Sequence, residues 1–336
     1  ATLEAEASRL ATPSETVFRE VGCHGVSEGA ALAAAGPEAR LLVVKHKSER
    51  CTCAIAIAPR PIEAAAIGRP RGRLSLVGIG PGKSEWRTPE AERLIRQAED
   101  LVGYSLYLDI LGPLTDGKTR HDYPLGDETE RARAALDLAA EGRNVALISS
   151  GDIGIYAMAS LVFELVAKED RGDWGRLEIE VAPGISALQA AAARIGAPLG
   201  HDFCAISLSD LLTPWEVIER RLQAAAEGDF VVAFYNPVSK TRRTLLSEAR
   251  DILLQHRPAD TPVMLASSLG RPEEHIRYRR LEDLQVDEVD MLTVVLIGSS
   301  NSRLAQLGEG PRMFTPRGYA RKIDGDLAPM KEGNGR

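Results

Sequence analysis

Short apolar runs separated by amphipathic segments predict alternating strands and helices from residue 74 onward. Leu76, Val77 and Ile79 mark the first buried strand. Amphipathic segments predict helices from residue 89, over 158–168 and 187–196, and after residue 214. Further strands are predicted at residues 145–149, 177–181, 204–207, 230–234, 263–266, 275–279 and 291–297. Together these elements indicate a mixed sheet with helices on both faces.

Cap residues predict where three of these helices begin. Thr88 can cap the first, which has Pro89 in its first turn. Ser186 can cap the helix that follows it. Thr213 and Glu216 have the spacing of a capping box before a long helix.

Three glycines follow the first strand in the stretch LSLVGIGPG. Gly78, Gly80 and Gly82 predict a turn without Cβ atoms, whose backbone can lie against a flat ligand. A dinucleotide fingerprint would need glycine at position 83, where Lys83 stands, and a P-loop would need glycine at position 77. Pro81 also removes one amide from any phosphate cradle. A ligand-binding turn and a plain connecting turn remain the two interpretations.

Polar loops follow two more strands, as SSGDIGIY after residue 148 and PGIS after residue 182. All three loops lie at the carboxyl ends of strands, the edge at which open α/β sheets bind ligands. This shared position favours a ligand site over a purely structural role.

The first 70 residues differ from the rest. An alanine-rich stretch predicts a helix at residues 25–36, and residues 41–59 predict a strand hairpin followed by a linker. So small a core is expected to dock on the main body.

Length and charge restrict the class of protein. A chain of 336 residues is long enough for two domains and a small third one. The formal charge of -7 argues against nucleic-acid binding. No apolar run reaches the roughly 18 residues of a membrane span, and no signal-peptide core is present, so we expect a cytoplasmic protein without a membrane partner.

Four cysteines, Cys23, Cys51, Cys53 and Cys204, are too few for a disulfide framework. A metal or iron–sulfur site with His24 and His46 is an alternative, but the spacing lacks the usual C-x-x-C. Reduced structural thiols, and no metal, are the preferred interpretation.

Basic residues form three clusters that are either solvated faces or, if they converge, a site for a polyanion. The clusters are Lys240, Arg242 and Arg243; Arg277, Arg279 and Arg280; and Arg317, Arg321 and Lys322.

Several stretches resemble one family in order and spacing over residues 73–320: VGIGPG, SSGDIGIYAMA, VAPGISALQAAAARIGAPLGHDF, AISLSDLLTPW, DFVVAFYNPVSKTRR, MLTVVLIGSS and TPRGY. This family is the precorrin-3B C(17)-methyltransferases of cobalamin biosynthesis, within the wider class of tetrapyrrole methylases. The wider class shares GxGPG, the GD loop and PGxS, whereas SLSDLLTPW and YNPxSK indicate this member. The N-terminal residues resemble a shortened C-terminal domain of the cobalamin-biosynthesis G and E proteins.

The resemblance implies the tetrapyrrole methylase fold, an α/β fold of two α/β domains with a ligand cleft between them, plus a small N-terminal α/β segment. The expected limits are residues 1–70 for that segment and its linker, 73–200 and 201–305 for the two methylase domains, and 306–336 for a tail. The tail after Tyr319, with Gly325, Gly333 and Gly335, is expected to be disordered.

The implied methyl donor is S-adenosylmethionine, which becomes S-adenosylhomocysteine. Gly151-Asp152 offers a carboxylate for a ribose or amino group, although Asp152 can instead be only a turn or cap residue. Ile155 and Tyr156 offer an apolar wall for the donor. Ser186 and Ala187 lie at a helix N-terminus, whose free amides and hydroxyl suit a carboxylate or an adenine edge. The expected donor-binding residues are Gly80, Pro81, Asp152, Ile155, Tyr156, Ser186 and Ala187, and by resemblance Tyr235, Asn236, Met291, Leu292 and Thr293.

The implied second substrate is precorrin-3B or a related tetrapyrrole, lying over Gly78 to Gly82. Its acetate and propionate groups suit the basic side chains of Lys240, Arg242 and Arg243. The family also contracts the ring, which calls for a base near the macrocycle. Asp210 is the candidate, with Ser209, Thr213 and His201 behind it, although a plain loop or cap role is the alternative.

Two other functions stay open. One is a sister methylase that acts at another carbon, and the other is a non-catalytic carrier that binds tetrapyrrole intermediates and hands them to neighbouring pathway enzymes. The resemblance also implies a homodimer. Both enzymes are expected to bind the methyl donor, whereas the carrier is expected to bind the macrocycle without it.

Overall fold

The computed structural model describes residues 3–239 and 242–319, which fall into two compact units, Ala1–Pro70 and Arg71–Arg336. Lys240, Arg321, Lys322 and the predicted disordered tail lie outside the described residues. None of the helices in the described residues is long and apolar enough to cross a membrane.

The first unit contains the predicted helix and hairpin. A 3₁₀ turn at Leu3–Arg9 precedes helices α1 (Glu15–Val21) and α2 (Val26–Ala35), strands β1 (Arg40–Lys47) and β2 (Thr52–Ile57), and the short helix α3 (Ala64–Ile67). Strands β1 and β2 pair antiparallel, which confirms the hairpin. The segment expected to be a linker contains α3, a single helical turn.

The cysteines are all free thiols. Cys23 is buried, Cys51 and Cys53 are exposed, and Cys204 is half-buried. Among the described residues, no group of three or more His, Cys, Asp and Glu side chains is arranged to hold a metal ion. His24 instead contacts two carboxylates, those of Glu4 at 2.8 Å and Glu15 at 3.3 Å.

A buried carboxylate joins the parts of the first unit. Glu28 is 1% exposed, and its oxygens accept hydrogen bonds from the N–H groups of Ala11, Thr12 and Lys45 at 2.8–2.9 Å. The Thr12 hydroxyl donates a fourth bond at 3.0 Å. Burial raises the pKa of Glu28, but these donors outweigh burial and hold the pKa below its usual range.

We expect Glu28→Ala to destabilise the first unit by about 3 kcal/mol, because it leaves buried N–H groups without acceptors. Hydrogen exchange of residues 3–57 in the full chain measures this effect. Glu38→Ala, at an exposed position of the same unit, is the control and should keep wild-type protection. Unchanged protection in the Glu28 variant would contradict the role assigned to its carboxylate.

The second unit opens with a five-stranded parallel sheet in the order β5-β4-β6-β3-β7. Its strands are β3 (Arg73–Gly78), β4 (Asp100–Tyr104), β5 (Thr119–Tyr123), β6 (Asn144–Ser149) and β7 (Glu178–Ala182). Its helices are α4 (Pro89–Gln97), α5 (Ser105–Ile110), α6 (Glu128–Ala140), α7 (Met158–Glu169) and α8 (Ala187–Ile195). Short 3₁₀ turns lie at Ser84–Trp86 and Gly112–Thr115.

Two apolar cores cover the faces of this sheet. Helices α6 and α7 pack with the fully buried Trp174 on one face, against Leu74 and Leu76 of β3. Helices α4 and α5 pack on the other face, against Val77 of β3 and Ile148 of β6. Strand β3 therefore contributes to both cores, as a central strand of a parallel sheet does.

A second, mixed sheet has the order β12-β11-β13-β10-β9. The two-residue strand β8 (Gly196–Ala197) leads into β9 (Phe203–Ser207), β10 (Val231–Tyr235), β11 (Pro262–Ser267), β12 (His275–Arg280) and β13 (Thr293–Ile297). Helices α9 (Trp215–Glu227) and α10 (Leu245–Leu254) cover one face. Helix α8, which follows β7 of the first sheet, packs on the other face of the second sheet.

The segment expected to be a tail begins inside a small sheet. Strands β14 (Arg303–Leu307) and β15 (Gly310–Phe314) form a hairpin, and β15 also pairs with β8. Met313 is fully buried in the core under α8, which explains why this segment is ordered.

Two predicted caps are confirmed and one is wrong. The Thr88 hydroxyl accepts the N–H of Ala91 at 3.1 Å, and Ser186 caps α8. Helix α9, however, begins at Trp215 with Pro214 as its N-cap and no side-chain cap bond. Because this start lies one residue later than predicted, Thr213 lies outside the helix and cannot form the capping box.

Candidate active site

The three predicted polar loops meet at one edge of the first sheet, because β6, β3 and β7 are neighbours. Gly80 and Gly151 exchange N–H···O bonds of 3.1 and 2.8 Å, which ties the first loop to the second. The loop after β7 approaches both through Gly184. The prediction that these loops share one edge is confirmed.

Glycine is required where these backbones cross. A Cβ on Gly184 would lie 2.0 Å from the Gly151 carbonyl oxygen, and one on Gly78 would lie 2.7 Å from that same atom. A Cβ on Gly82 would meet the backbone of Gly270, in the loop after β11, at 2.7 Å. Gly78, Gly80 and Pro81 are buried by protein. Crossing backbones close in Gly78, whereas Gly82 is only half-buried, and the expected contact of this stretch with a macrocycle stays a prediction.

Asp152 holds two of the loops together. Its Oδ1 accepts the N–H of Gly154 at 2.8 Å, and its Oδ2 accepts the N–H of Gly184 at 3.0 Å. The alternative role as a turn residue is thus present in the structure. Each carboxylate oxygen retains a second lone pair, which leaves capacity for a ligand donor.

The N-terminus of α8 is largely satisfied by protein groups. Ser186 and Gln189 form a reciprocal capping box, with bonds of 3.1 Å and 3.0 Å. The N–H of Leu188 donates to the Tyr235 hydroxyl at 3.0 Å. Ser186 was expected to present its hydroxyl and amide to a ligand, but the cap uses both. Ala187 is half-buried beside Gly151.

Two tyrosines join the edges of the two sheets. The Tyr156 hydroxyl donates to the Ala205 carbonyl of β9 at 2.8 Å, and its ring lies 5.3 Å from the Tyr235 ring. Burial raises the pKa of both tyrosines, so both hydroxyls stay neutral at neutral pH. Tyr156 is nevertheless 52% exposed and Ile155 is 38% exposed. The two side chains thus offer exposed apolar surface, and their role as a ligand wall stays a prediction.

Tyr156 and Asn236 both have backbone angles in the left-handed region, with φ of 51° and 49°. Such conformations are uncommon for non-glycine residues and tend to cluster at functional sites. Asn236 follows β10, and its amide donates to the Ser207 hydroxyl at 3.1 Å. One strained residue therefore lies on each side of the junction.

The start of β13 differs in detail from the prediction. Thr293 is buried, and its hydroxyl is 2.7 Å from the Ser267 hydroxyl and 2.6 Å from the Asp290 carboxylate. The Thr293 hydroxyl, which was expected to contact a ligand, is thus hydrogen-bonded to Ser267 and Asp290 within the protein. Met291 and Leu292 precede the strand and are 56% and 50% exposed, so they remain available as apolar contacts.

Arg242 holds the loops after β9 and β10 together. Its guanidinium lies 3.3 Å from the Ser209 hydroxyl, 3.4 Å from the Asp210 carboxylate and 3.0 Å from the Asn236 carbonyl. The side chain is only 11% exposed, whereas that of Asp210 is 44% exposed. Asp210 is therefore both oriented and accessible. Leu211 and Leu212 follow it and are 83% and 96% exposed.

Arg243 and the second basic cluster have acidic partners of their own. Arg243 pairs with Asp287 at 2.9 Å, and Arg280 pairs with Glu282 at 2.9 Å. Arg277 and Arg279 both bond to Glu288. The second cluster is thus an ion-paired face. His201 contacts its neighbour Asp202, and Thr213 is half-buried in the exposed loop.

Sequence reasoning missed several residues that shape this site. Gly184 was noted only within the PGIS loop, and Leu188 and Ser207 carried no signal because their partners are distant in sequence. Gly270, which contacts Gly82, was recognisable only as a loop glycine.

Comparisons with known proteins agree with this geometry. The family model described as Tetrapyrrole (Corrin/Porphyrin) Methylases matches residues 73–285, and the model Cobalamin synthesis G C-terminus matches residues 1–56. A precorrin-3B C(17)-methyltransferase from Sinorhizobium is 45% identical over 74% of this chain and 98% of its own length. A probable cobalt-factor III C(17)-methyltransferase from Salmonella typhimurium is 46% identical over 73% of this chain and 99% of its own.

Solved structures show the same fold. The crystal structure of the methyltransferase CobJ superposes with a TM-score of 0.68 at 42% identity, over 73% of this chain and 100% of that one. A uroporphyrin-III C-methyltransferase from Thermus thermophilus, complexed with S-adenosylhomocysteine, shares the fold at a TM-score of 0.51 and 22% identity, over 68% of this chain and 97% of that one. The match with the mycobacterial CobIJ cobalamin biosynthesis proteins covers 48% of their length, so the chain spans about half of these relatives.

Proposed function

This chain belongs to the tetrapyrrole (corrin/porphyrin) methylase family, and from that premise we propose that it methylates C(17) of a precorrin-3B-type macrocycle, with ring contraction, in cobalamin biosynthesis. The observation that carries the proposal is the junction of the two sheet edges at Tyr156 and Tyr235. There, strained backbone, exposed apolar side chains and an oriented carboxylate occur together. The functions named for the relatives from Sinorhizobium and Salmonella support the same reaction.

The residues at this junction suit S-adenosylmethionine. When bound, this donor supplies a methyl group on a positively charged sulfur, which a carbon nucleophile can take directly, leaving S-adenosylhomocysteine. Ile155, Tyr156, Met291 and Leu292 offer exposed apolar surface for an adenosine. Asp152 has carboxylate lone pairs left for a ribose or amino group. Ser186 and Thr293, which were also expected to contact the donor, support the loops through hydrogen bonds within the protein.

The chain contributes alignment to the methyl transfer. Asp152 and the glycine crossings fix the loops of the first sheet, and Arg242 fixes those of the second. Holding two reactants in one orientation can lower a barrier by about 7–11 kcal/mol. The transfer therefore requires a rigid junction more than an additional acid or base.

Ring contraction requires removal of a hydroxyl proton, and we assign this step to Asp210. Its carboxylate is exposed enough to reach a substrate and is oriented by Arg242. Ser209 shares the same guanidinium, and Thr213 ends the loop. Leu211 and Leu212 can cover the apolar faces of a macrocycle beside the carboxylate.

The relatives differ in the state of the macrocycle, which is metal-free in one name and a cobalt complex in the other. Parallel anaerobic assays with precorrin-3B and cobalt-factor III would decide between them, since the preferred substrate has the higher kcat/KM. A homodimer is part of the proposal, and light scattering of the full chain measures it.

We expect the full chain to bind S-adenosylhomocysteine with micromolar affinity and Asp152→Ala to weaken binding about tenfold or more, because two N–H groups lose their acceptor and the loops separate. Titration calorimetry measures both. Asp152→Asn keeps the side-chain volume and should give an intermediate affinity. Asp116→Ala, at an exposed turn, is the matched control.

Two outcomes of this titration would count against the proposal. A folded wild type that does not bind S-adenosylhomocysteine, but binds a tetrapyrrole, would favour a carrier. Wild-type affinity in Asp152→Ala would mean that the loops joined by Asp152 are not the donor site.

A further inference from the structure

A buried guanidinium near the carboxyl edge of the first sheet lacks strong partners. Arg131, in the first turns of α6, is 4% exposed. It donates to the Met158 sulfur at 3.4 Å, a weak acceptor, and lies 3.5 Å from the Glu128 carboxylate. Its Nε is buried without a hydrogen-bond partner. Most of its donor capacity is therefore unused.

A second guanidinium comes from the second sheet. Arg271 lies in the loop after β11, and within the described part of the chain its side chain makes no hydrogen bond or ion pair. Its Nε is buried. The nearby carboxylate of Glu274 is already engaged, with Arg194 at 2.6 Å and with the Gly270 N–H at 2.6 Å.

Both guanidinium groups act on the same tyrosine. Burial raises the pKa of Tyr107, and the positive charges of Arg271 and Arg131 oppose that rise. The Tyr107 ring lies 5.1 Å from that of Tyr104, edge to face, at the end of β4. Contact between Gly82 and Gly270 holds the Arg271 loop against the first sheet. Arg131 and Arg271 thus belong to elements of different sheets, and the charges of both reach Tyr107.

Their surroundings contain too little negative charge. Glu128 is 46% exposed, lies 3.5 Å from Arg131 and also accepts the Gly126 N–H. Arg120, Arg171 and Arg279 differ, since each has a carboxylate within 3.0 Å. Two guanidinium groups with unused donors match the oxygens of a carboxylate ligand.

We propose that Arg131 and Arg271 bind a carboxylate side chain of the macrocycle, with Tyr104 and Tyr107 beside it. The inference rests on the proposed function and adds a substrate site distinct from the Arg242 loops. An acetate or propionate group would supply the acceptors that both guanidinium groups lack.

The test compares Arg271→Gln with wild type for binding of uroporphyrin, which carries acetate and propionate groups, and of coproporphyrin, which lacks the acetates. We expect Arg271→Gln to weaken uroporphyrin binding about ten- to a hundredfold, because charged hydrogen bonds are lost. S-Adenosylhomocysteine affinity should not change. Turnover with the corrinoid substrate should show a raised KM with little change in kcat.

Controls separate this site from general charge effects. Arg133→Gln lies on α6 but pairs with Glu169 at the surface, and it should bind uroporphyrin as wild type does. Arg131→Gln should repeat the Arg271 result, and its melting temperature shows whether it is folded. If Arg133→Gln weakens uroporphyrin binding as much as Arg271→Gln does, the proposal is overturned.

Two results distinguish this inference from the proposed function. If wild type binds uroporphyrin and Arg271→Gln binds it equally well, the carboxylate site is wrong and the methylase function stands. If wild type binds S-adenosylhomocysteine but no tetrapyrrole, both the substrate class and this site fail.

Discussion

Arg242→Ala is expected to lower turnover about a hundredfold, because a guanidinium that aligns three loop groups would be lost. Because the Arg242 side chain is nearly buried, water does not take over its hydrogen bonds in the variant. Asp210 would lose its orienting partner, and the Asn236 carbonyl would lose its donor. Anaerobic turnover assays measure the decrease, and S-adenosylhomocysteine titration checks that the donor site persists.

Arg242→Lys should not restore activity. A lysine ammonium cannot reproduce the planar set of donors that reaches Ser209, Asp210 and Asn236 at once. Arg243→Ala is the matched control because its partner, Asp287, is almost fully exposed, and such surface pairs contribute only about 0–1 kcal/mol. Equal losses in Arg242→Ala and Arg243→Ala would contradict the separate roles that the structure gives them.

The sequence predicted several buried strands because their environment is simple, but it missed β4, which is also buried. Strands β3, β6, β10 and β11 are apolar on both faces, and such runs are distinct from their flanking turns. Local caps such as Ser186 were also predictable, since their partners lie three residues away. The cap before α9 failed because a shift of one residue removes its geometry.

Other elements lacked so clear a pattern. Strand β5, TRHDY, lies at the sheet edge and is partly exposed, so it has few apolar residues. The hairpin of β14 and β15 is held by Met313 and by pairing with the distant β8. Neither contact has a local signal, and the segment was expected to be a tail.

The site shows a similar division. Residue types at the sheet edges were predictable, but their uses were not. Ser186 and Thr293 have suitable hydroxyls for a ligand, yet Gln189, Ser267 and Asp290 engage them first. Arg131 and Arg271 have no motif, and only the fold brings both charges within reach of Tyr107. Sequence therefore indicates which groups a site can use, whereas the fold decides which of them remain free.

Gly184→Ala is expected to reduce the free energy of unfolding by about 3 kcal/mol or more and to abolish donor binding. The new Cβ would lie 2.0 Å from the Gly151 carbonyl oxygen and 2.8 Å from the Gly78 carbonyl carbon. Both contacts are with backbone, so no side chain can rotate away. The loop must therefore move and break the bond between the Gly184 N–H and Asp152.

Urea unfolding of the full chain measures the change in the free energy of unfolding. Calorimetry at low temperature, where part of the variant remains folded, measures its binding of S-adenosylhomocysteine. Gly172→Ala, at an exposed position with open space around it and an ordinary φ, is the control and should change neither. Gly78→Ala should resemble Gly184→Ala, because its Cβ would meet the Gly151 carbonyl oxygen at 2.7 Å. A Gly184→Ala protein with wild-type stability and affinity would show that the three loops do not cross as described. Loss of binding without loss of stability would place the effect in the donor site alone, since the loops would then yield locally while both sheets stay folded.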